Sequence, residues 1–365
     1  MHKGLMQVIS TVFIKEVKEK DYEKKAKNYP LYEHQDFTNF RQLITEKSKS
    51  SPNHVAYQYL KHGKLESISY SRFHQDINAL EAFLNGQGLR NIKIALLSEN
   101  SYEWILAYFA VVISSNVIVP LDKELSTKEI GGLLAHSDAE ALIYSDTYSD
   151  IAETIMQQGQ VSRILSIADL PAFLKDGRKL ISDRDYVPIE NRADENSVCS
   201  IIFTSGTTGA PKGVMLSQRG MMAAAINSSR NVYFTGASLL TLPLHHTFAF
   251  TADILIMLIY DCPVCISKSL RTFQSDMLTF KPRHMFLVPL FVENLYKTIW
   301  KAAREQGKEK LLKRMIRFSN LARRCGFGLQ RKLFHSILEQ FGGHLELVVS
   351  GGAPFLKNMW MDWRT

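Results

Sequence analysis

The chain is 365 residues long, with 45% hydrophobic and 22% charged residues and a formal net charge of +8. That length exceeds one ordinary core and predicts two or three subdomains, and the composition is that of a soluble globular protein. The four cysteines are few: Cys262 and Cys265 form a lone C-x-x-C in an apolar run without a second ligand pair. This argues for buried free thiols over a zinc site, and nothing demands an oxidising compartment.

The apolar run at 5–14 is followed by the charged stretch KEVKEKDYEKKAK and by no small-residue cleavage pattern. A soluble N-terminal helical extension over 1–36 is expected there, and export is not. A first α/β subdomain is expected over 37–190. Its predicted elements are a helix at Phe40–Thr45, strands at Val55–Tyr59 and Lys64–Ser69 around a turn at His62 and Gly63, and a helix at Tyr70–Leu84 stopped by Gly86 and Gly88. A strand at Ile92–Leu97, a helix at Tyr102–Ile113, a strand at Val117–Leu121, a helix at Thr127–His136 and a strand at Ala141–Tyr144 follow. This alternation implies a mainly parallel sheet. The run Trp104–Leu121 is nearly long enough to span a bilayer, but Ser114, Ser115 and Asn116 interrupt it, so a helix followed by a strand explains it better. Residues 171–197 are polar, contain Pro171 and Pro188, and read as a connection into a second subdomain over 191–365.

That second part opens on VCSIIFTSGTTGAPKGVMLS, from Val198 to Ser217. An apolar strand-like run leads into Thr204, Ser205, Gly206, Thr207, Thr208 and Gly209, and Pro211, Lys212 and Gly213 close the loop before a helix-like run at Met221–Ile226. Glycines let backbone N–H groups approach an anion, hydroxyls supply donors, Lys212 supplies a point charge, and a helix N-terminus adds partial positive charge. The loop at 204–213 therefore reads as a phosphate cradle, expected at a strand–helix junction. It is not a Walker A loop, because Pro211 precedes Lys212 and Gly213 follows it, and G-x-G-x-x-G also fails.

Residue for residue, the stretch resembles the TSGTTG-x-PKGV signature of the adenylate-forming (AMP-binding) superfamily, which includes acyl-CoA synthetases, luciferases and peptide-synthetase adenylation domains. Glu99–Trp104 and Val119–Asp122 resemble elements of the long-chain fatty acyl-CoA synthetases. Leu239–Phe250 reads LLTLPLHHTFAF, which by itself fits simple packing as well as a pocket wall. It resembles the superfamily's L-P-L-x-H-x-F element, with His246 and Phe248 at the matched positions bordering the acyl pocket and His245 a variable neighbour. Phe250–Ile266 reads as a buried helix followed by a strand, and His284–Pro289 as the next strand. Leu345–Pro354 reads LELVVSGGAP, and Gly351, Gly352, Ala353 and Pro354 resemble the element that borders adenine.

The basic character is local. Residues 297–332 hold twelve Lys or Arg against two Glu, a net +10, so the rest of the chain sums to −2. Leu311, Leu312, Met315, Ile316, Phe318 and Leu321 recur at helical spacing, so 297–341 reads as a basic amphipathic helical insert. Such a helix fits peripheral contact with an anionic membrane, attraction of a polyanion such as coenzyme A, or a solvated face packed on the domain. No aromatic-rich nucleic-acid module accompanies it, and nucleic acid is not an expected partner.

The resemblance implies a multi-subdomain α/β N-terminal domain of the adenylate-forming type, with mainly parallel sheets flanked by helices. It implies a fatty acid substrate, ATP, Mg2+ and coenzyme A. Thr204–Gly209 and Lys212 would hold phosphates, Thr207 would bind the metal, and Lys212 and His246 would be catalytic. The superfamily elements that follow G-G-A-P, including a C-terminal domain, do not appear after Pro354. The expectation is a truncated chain in the cytoplasm, weak or inactive alone, with a separate chain supplying the missing half. An acyl–carrier-protein ligase, an adenylation domain and a non-catalytic nucleotide- or membrane-binding remnant remain alternatives.

Overall fold

The computed structural model describes residue 32 and residues 35–183, 194–204, 211–230 and 232–353. The expected helix at 5–14, the loop residues Ser205–Gly209 and Pro354 lie outside the described residues.

In chain order the elements begin with α1 (Phe40–Ser50), β1 (Val55–Lys61), β2 (Lys64–Ser69), α2 (Tyr70–Gly86), β3 (Lys93–Leu97), α3 (Tyr102–Ile113) and β4 (Val117–Pro120). Then come α4 (Thr127–Ser137), β5 (Ala141–Tyr144), α5 (Ser149–Gln157), β6 (Arg163–Ser166), α6 (Leu170–Ser182), β7 (Val198–Thr204), β8 (Lys212–Ser217) and α7 (Gln218–Ser229). Local chemistry sets the helix starts. Asn39, Ser69 and Ser101 each accept a backbone N–H of the first turn. Ser126 and Glu129 form a reciprocal capping box at α4.

The described residues fall into two compact units. The first is built from 33–230 and 243–268. Its larger sheet has the order β6-β5-β3-β4-β7-β8, parallel except for the antiparallel β7–β8 pair. Ala95, Leu97, Val119 and Leu142 on its strands pack against Ile130, Leu134, Ala152 and Ile155 from α4 and α5. Helix α3 is buried at every residue but Glu103, so the near-membrane run Trp104–Leu121 resolves into a core helix and a strand. Among the described residues no helix is long and apolar enough to cross a membrane.

One expectation fails outright. The polar stretch expected to be a connection from residue 171 begins as helix α6, with Pro171 in its first turn. Its polarity hides a narrow apolar stripe. Phe173 stacks on Phe83 of α2 with ring centroids 4.3 Å apart. Gly177 lies so close to α2 that an added Cβ would sit 1.8 Å from the Ala79 carbonyl oxygen. Arg72, Arg178 and the Tyr102 hydroxyl all converge on buried Asp76, pinning α2, α3 and α6 together.

The second unit includes 231–242 and 269–365. It opens with β9 (Ser238–Leu240). The chain then returns to the first unit for a helix of three joined stretches, Thr247–Ala249, π-helical Phe250–Ile256 and Met257–Ile259 (together α8), and for β10 (Val264–Ile266), which pairs parallel with β1. The second unit continues with α9 (Phe273–Phe280), β11 (His284–Leu287), α10 (Pro289–Glu305), α11 (Glu309–Arg324), α12 (Gln330–Leu333), α13 (His335–Glu339) and β12 (Leu347–Ser350). Within it β9, β11 and β12 run parallel.

Candidate active site

The strand expected before the phosphate loop is β7, which ends at Thr204. Lys212 is not at a helix N-terminus. It opens β8, paired directly with Thr204, whose Oγ1 lies 3.5 Å from the Lys212 carbonyl oxygen. The following helix α7 begins six residues later, capped by the Ser217 hydroxyl. Lys212 therefore sits on a strand: the KGVMLS run satisfies its backbone by pairing with VCSIIFT, and among the described residues the next helix along the chain starts only at Gln218.

The LPLHH element is held at two places. The Leu244 N–H donates to Asn100 Oδ1 at 3.0 Å, and the His246 N–H donates to the Pro243 carbonyl at 3.2 Å. The His246 carbonyl in turn accepts the Phe250 N–H at 3.2 Å and starts α8. Asn100 sits in the turn before α3, next to Glu99. Burial pushes the Glu99 carboxyl up, but hydrogen bonds from the Ser145 and Thr147 hydroxyls outweigh this and hold it below its usual range. The Glu99–Trp104 segment thus braces the histidine turn.

Both histidines line a cleft of about 1030 Å³ within the first unit, together with Thr204 and Pro211 from the ends of β7 and β8, Asp122 after β4, and Lys128 and His136 from α4. Its size suits an organic ligand. His245 is mostly buried, and its ring centroid lies 4.1 Å from that of His246. Its Nε2 makes no hydrogen bond among the described residues; the Asp122 carboxylate is 3.7 Å away. Burial first, then the neighbouring His246, lower its pKa to about 4, against an opposing pull from Asp122. His245 is therefore neutral at pH 7, while His246 is exposed to the cleft.

Of the site residues expected from sequence, the structure brings Thr204 and His246 to this cleft, with Lys212 adjoining it as the strand partner of Thr204. Phe248, on the first turn of α8, is half-buried and does not line it. Gly351, Gly352 and Ala353 belong to the second unit, just after β12. The Gly351 N–H donates to the Leu287 carbonyl at 3.1 Å, and Gly352 has a φ of +80°, a conformation that only glycine adopts freely. Ser205, Gly206, Thr207, Thr208, Gly209 and Pro354 lie outside the described residues. Sequence reasoning missed Lys128, His136 and the Asp122–His245 approach. Asp122 was visible in the VPLD element, but nothing in the sequence signals which histidine it faces.

The profile of the family described as "AMP-binding enzyme" matches residues 44–365. The chain belongs to that family. Among curated relatives of this AMP-binding chain, the long-chain-fatty-acid–CoA ligase FadD15 of Mycobacterium bovis is 24% identical over 344 residues, covering 87% of this chain and 56% of the relative. The long-chain-fatty-acid–[acyl-carrier-protein] ligase AEE15 of Arabidopsis thaliana is 26% identical, covering 69% of this chain and 38% of the relative. The chain thus spans about half the length of the curated relatives it matches. In fold it resembles the inhibitor-bound N-terminal domain of FACL13 from Mycobacterium tuberculosis, with a TM-score of 0.67 at 18% identity over 90% of this chain and 73% of that one. Its α/β architecture is therefore that of an adenylate-forming N-terminal domain.

Proposed function

We propose that this AMP-binding chain carries the acid-activating part of a long-chain acyl-CoA synthetase. A fatty acid carboxylate oxygen attacks the α-phosphorus of ATP, the bond to pyrophosphate breaks, and coenzyme A then takes the acyl group from the adenylate as AMP leaves. The observation that carries this reading is the convergence of Thr204 and Pro211, at the two ends of the signature loop, with His246 on one cleft.

In this reading Thr204, Ser205, Gly206, Thr207, Thr208, Gly209 and Lys212 hold the β- and γ-phosphates, with Lys212 neutralising charge as pyrophosphate departs. His246, fixed by the braced turn, orients the acid, Phe248 borders the acyl chain, and Gly351, Gly352, Ala353 and Pro354 border adenine. His245, neutral at pH 7, adds no charge to that wall, and His246 acts by position and hydrogen bonding. Among the described residues no group of three or more His, Cys, Asp or Glu is arranged for a metal, and Thr207, the expected Mg2+ ligand, lies outside them.

The test combines nucleotide binding with pyrophosphate release by the chain, given Mg-ATP and mixed fatty acids, against a Lys212→Ala, Thr207→Ala double variant. The expected result is ATP binding at least about tenfold tighter than in the variant, since one lost charge-assisted contact is worth about that much. Acid-dependent pyrophosphate release above the blank adds that this chain completes adenylation by itself. Binding without release, under every acid supplied, points to the non-catalytic alternative. Equal binding by both proteins overturns the assignment of the loop. Coenzyme A against carrier protein as acceptor then separates the synthetase from an acyl–carrier-protein ligase.

A further inference from the structure

Helix α11 presents two apolar faces, and the described residues cover only one. Leu312, Ile316 and Ala322 are buried at 5%, 2% and 8% exposure, and pack inward as a helix face should. Leu311, Phe318 and Leu321 point away at 54%, 54% and 61% exposure. The spacing of 311, 314, 318 and 321 keeps these side chains on one stripe, with Arg314 inside it and Lys310 and Arg317 along its edge. All three cations are exposed and make no ion pair with a described residue. The one acid of the helix, Glu309, is taken up by Lys313 at 2.5 Å.

We propose that this stripe of α11 is a docking face for an anionic lipid surface. The helix would lie in the interface plane, with Leu311, Phe318 and Leu321 below the headgroups and Lys310, Arg314 and Arg317 among the phosphates. Three large apolar side chains exposed together on one helical stripe are costly in water and are covered at a lipid interface, while the cations beside them gain from negative headgroups. Charge decides between occupants. A second copy of the chain would press like charges together. A nucleic acid would satisfy the cations but leave the apolar side chains wet. The segment 297–332 carries +10 while the remainder sums to −2, so attraction to an anionic sheet is focused on this region. The inference does not depend on the catalytic reading.

The test is flotation of the 365-residue chain with vesicles of phosphatidylcholine alone and of phosphatidylcholine with one-third phosphatidylserine. Binding is expected only to the anionic vesicles, weakening as salt is raised. Arg314→Glu with Arg317→Glu should reduce the partition coefficient by more than about tenfold. Leu311→Ser, Phe318→Ser and Leu321→Ser together should do the same, while Leu65→Ser, another exposed leucine in the first unit, should change nothing. Circular dichroism confirms folding, and the single Arg317→Glu variant serves if a multiple variant unfolds. Equal flotation of parent and variants, equal binding to uncharged vesicles, or variant-sensitive binding to duplex DNA without vesicle binding would each overturn the proposal. None of these outcomes touches the nucleotide-binding test.

Discussion

Helix α3 of the first unit, by its apolar run, and helix α11 of the second, by its basic amphipathic pattern, both suggest a membrane, and the structure sends them to opposite places. Every residue of α3 except Glu103 is buried, and Phe109 alone meets the rings of Phe40, Phe73 and Phe250 at 5.2, 5.3 and 5.8 Å. The more apolar helix is therefore core. Helix α11, far more charged, leaves three large apolar side chains in solvent. Total hydrophobicity does not decide what meets lipid; what decides is whether another element covers the apolar face.

The sharpest way to break that comparison is to make the same substitution in both helices. Phe109→Ala should cost about 3–5 kcal/mol in denaturant unfolding of the first unit, because a fully enclosed ring leaves a cavity. Phe318→Ala should change stability by less than about 0.5 kcal/mol, because its ring is already in water. A large loss at Phe318 would mean that its face is covered after all.

The next effect concerns the first unit's cleft. His245 is depressed from its ordinary 6.5 to about 4, so the folded chain binds fewer protons than the unfolded chain between those values. Its share of stability is present above about pH 6.5 and is lost as pH falls towards 4, on the order of 3 kcal/mol if the whole shift is realised. His245→Gln should flatten that part of the stability–pH curve, and an unchanged slope would locate acid sensitivity elsewhere, with buried His284 and half-buried His74, both also lowered, as the next tests.

Smaller again is Gly177→Val, which should destabilise by about 1–3 kcal/mol, because any Cβ there collides with backbone and α2 and α6 must separate. Asn100→Ala should be the mildest, about 1 kcal/mol for the lost hydrogen bond to Leu244. It should also weaken acid or nucleotide binding more than it lowers the melting temperature, because it loosens the turn that presents His246. Equal effects on both would make Asn100 merely structural.

Much of this was legible in the residues. The predicted bounds of α3 and β5 coincide with the observed ones, because a capping serine and a change from period 3.6 to an apolar strand mark them locally. Helix α6 escaped because only Leu170, Leu174 and Gly177 of it are buried, and a glycine contact reads as a turn until the partner helix is known. The loop's true setting, between two strands, escaped for a related reason: KGVMLS has no strong alternation and becomes a strand only by pairing with β7.

By itself the sequence determined the family signature, the order of helices and strands, and the concentration of positive charge in one segment, since each rests on neighbours along the chain. The tertiary structure alone decided that Asp122 and His245 approach within 3.7 Å, that Asn100 holds the histidine turn, and that Leu311, Phe318 and Leu321 of a basic amphipathic helix face outward. Those outcomes depend on which surfaces close against one another, a property of segments more than a hundred residues apart or of a helix's rotation on its neighbours, and local periodicity carries no record of either.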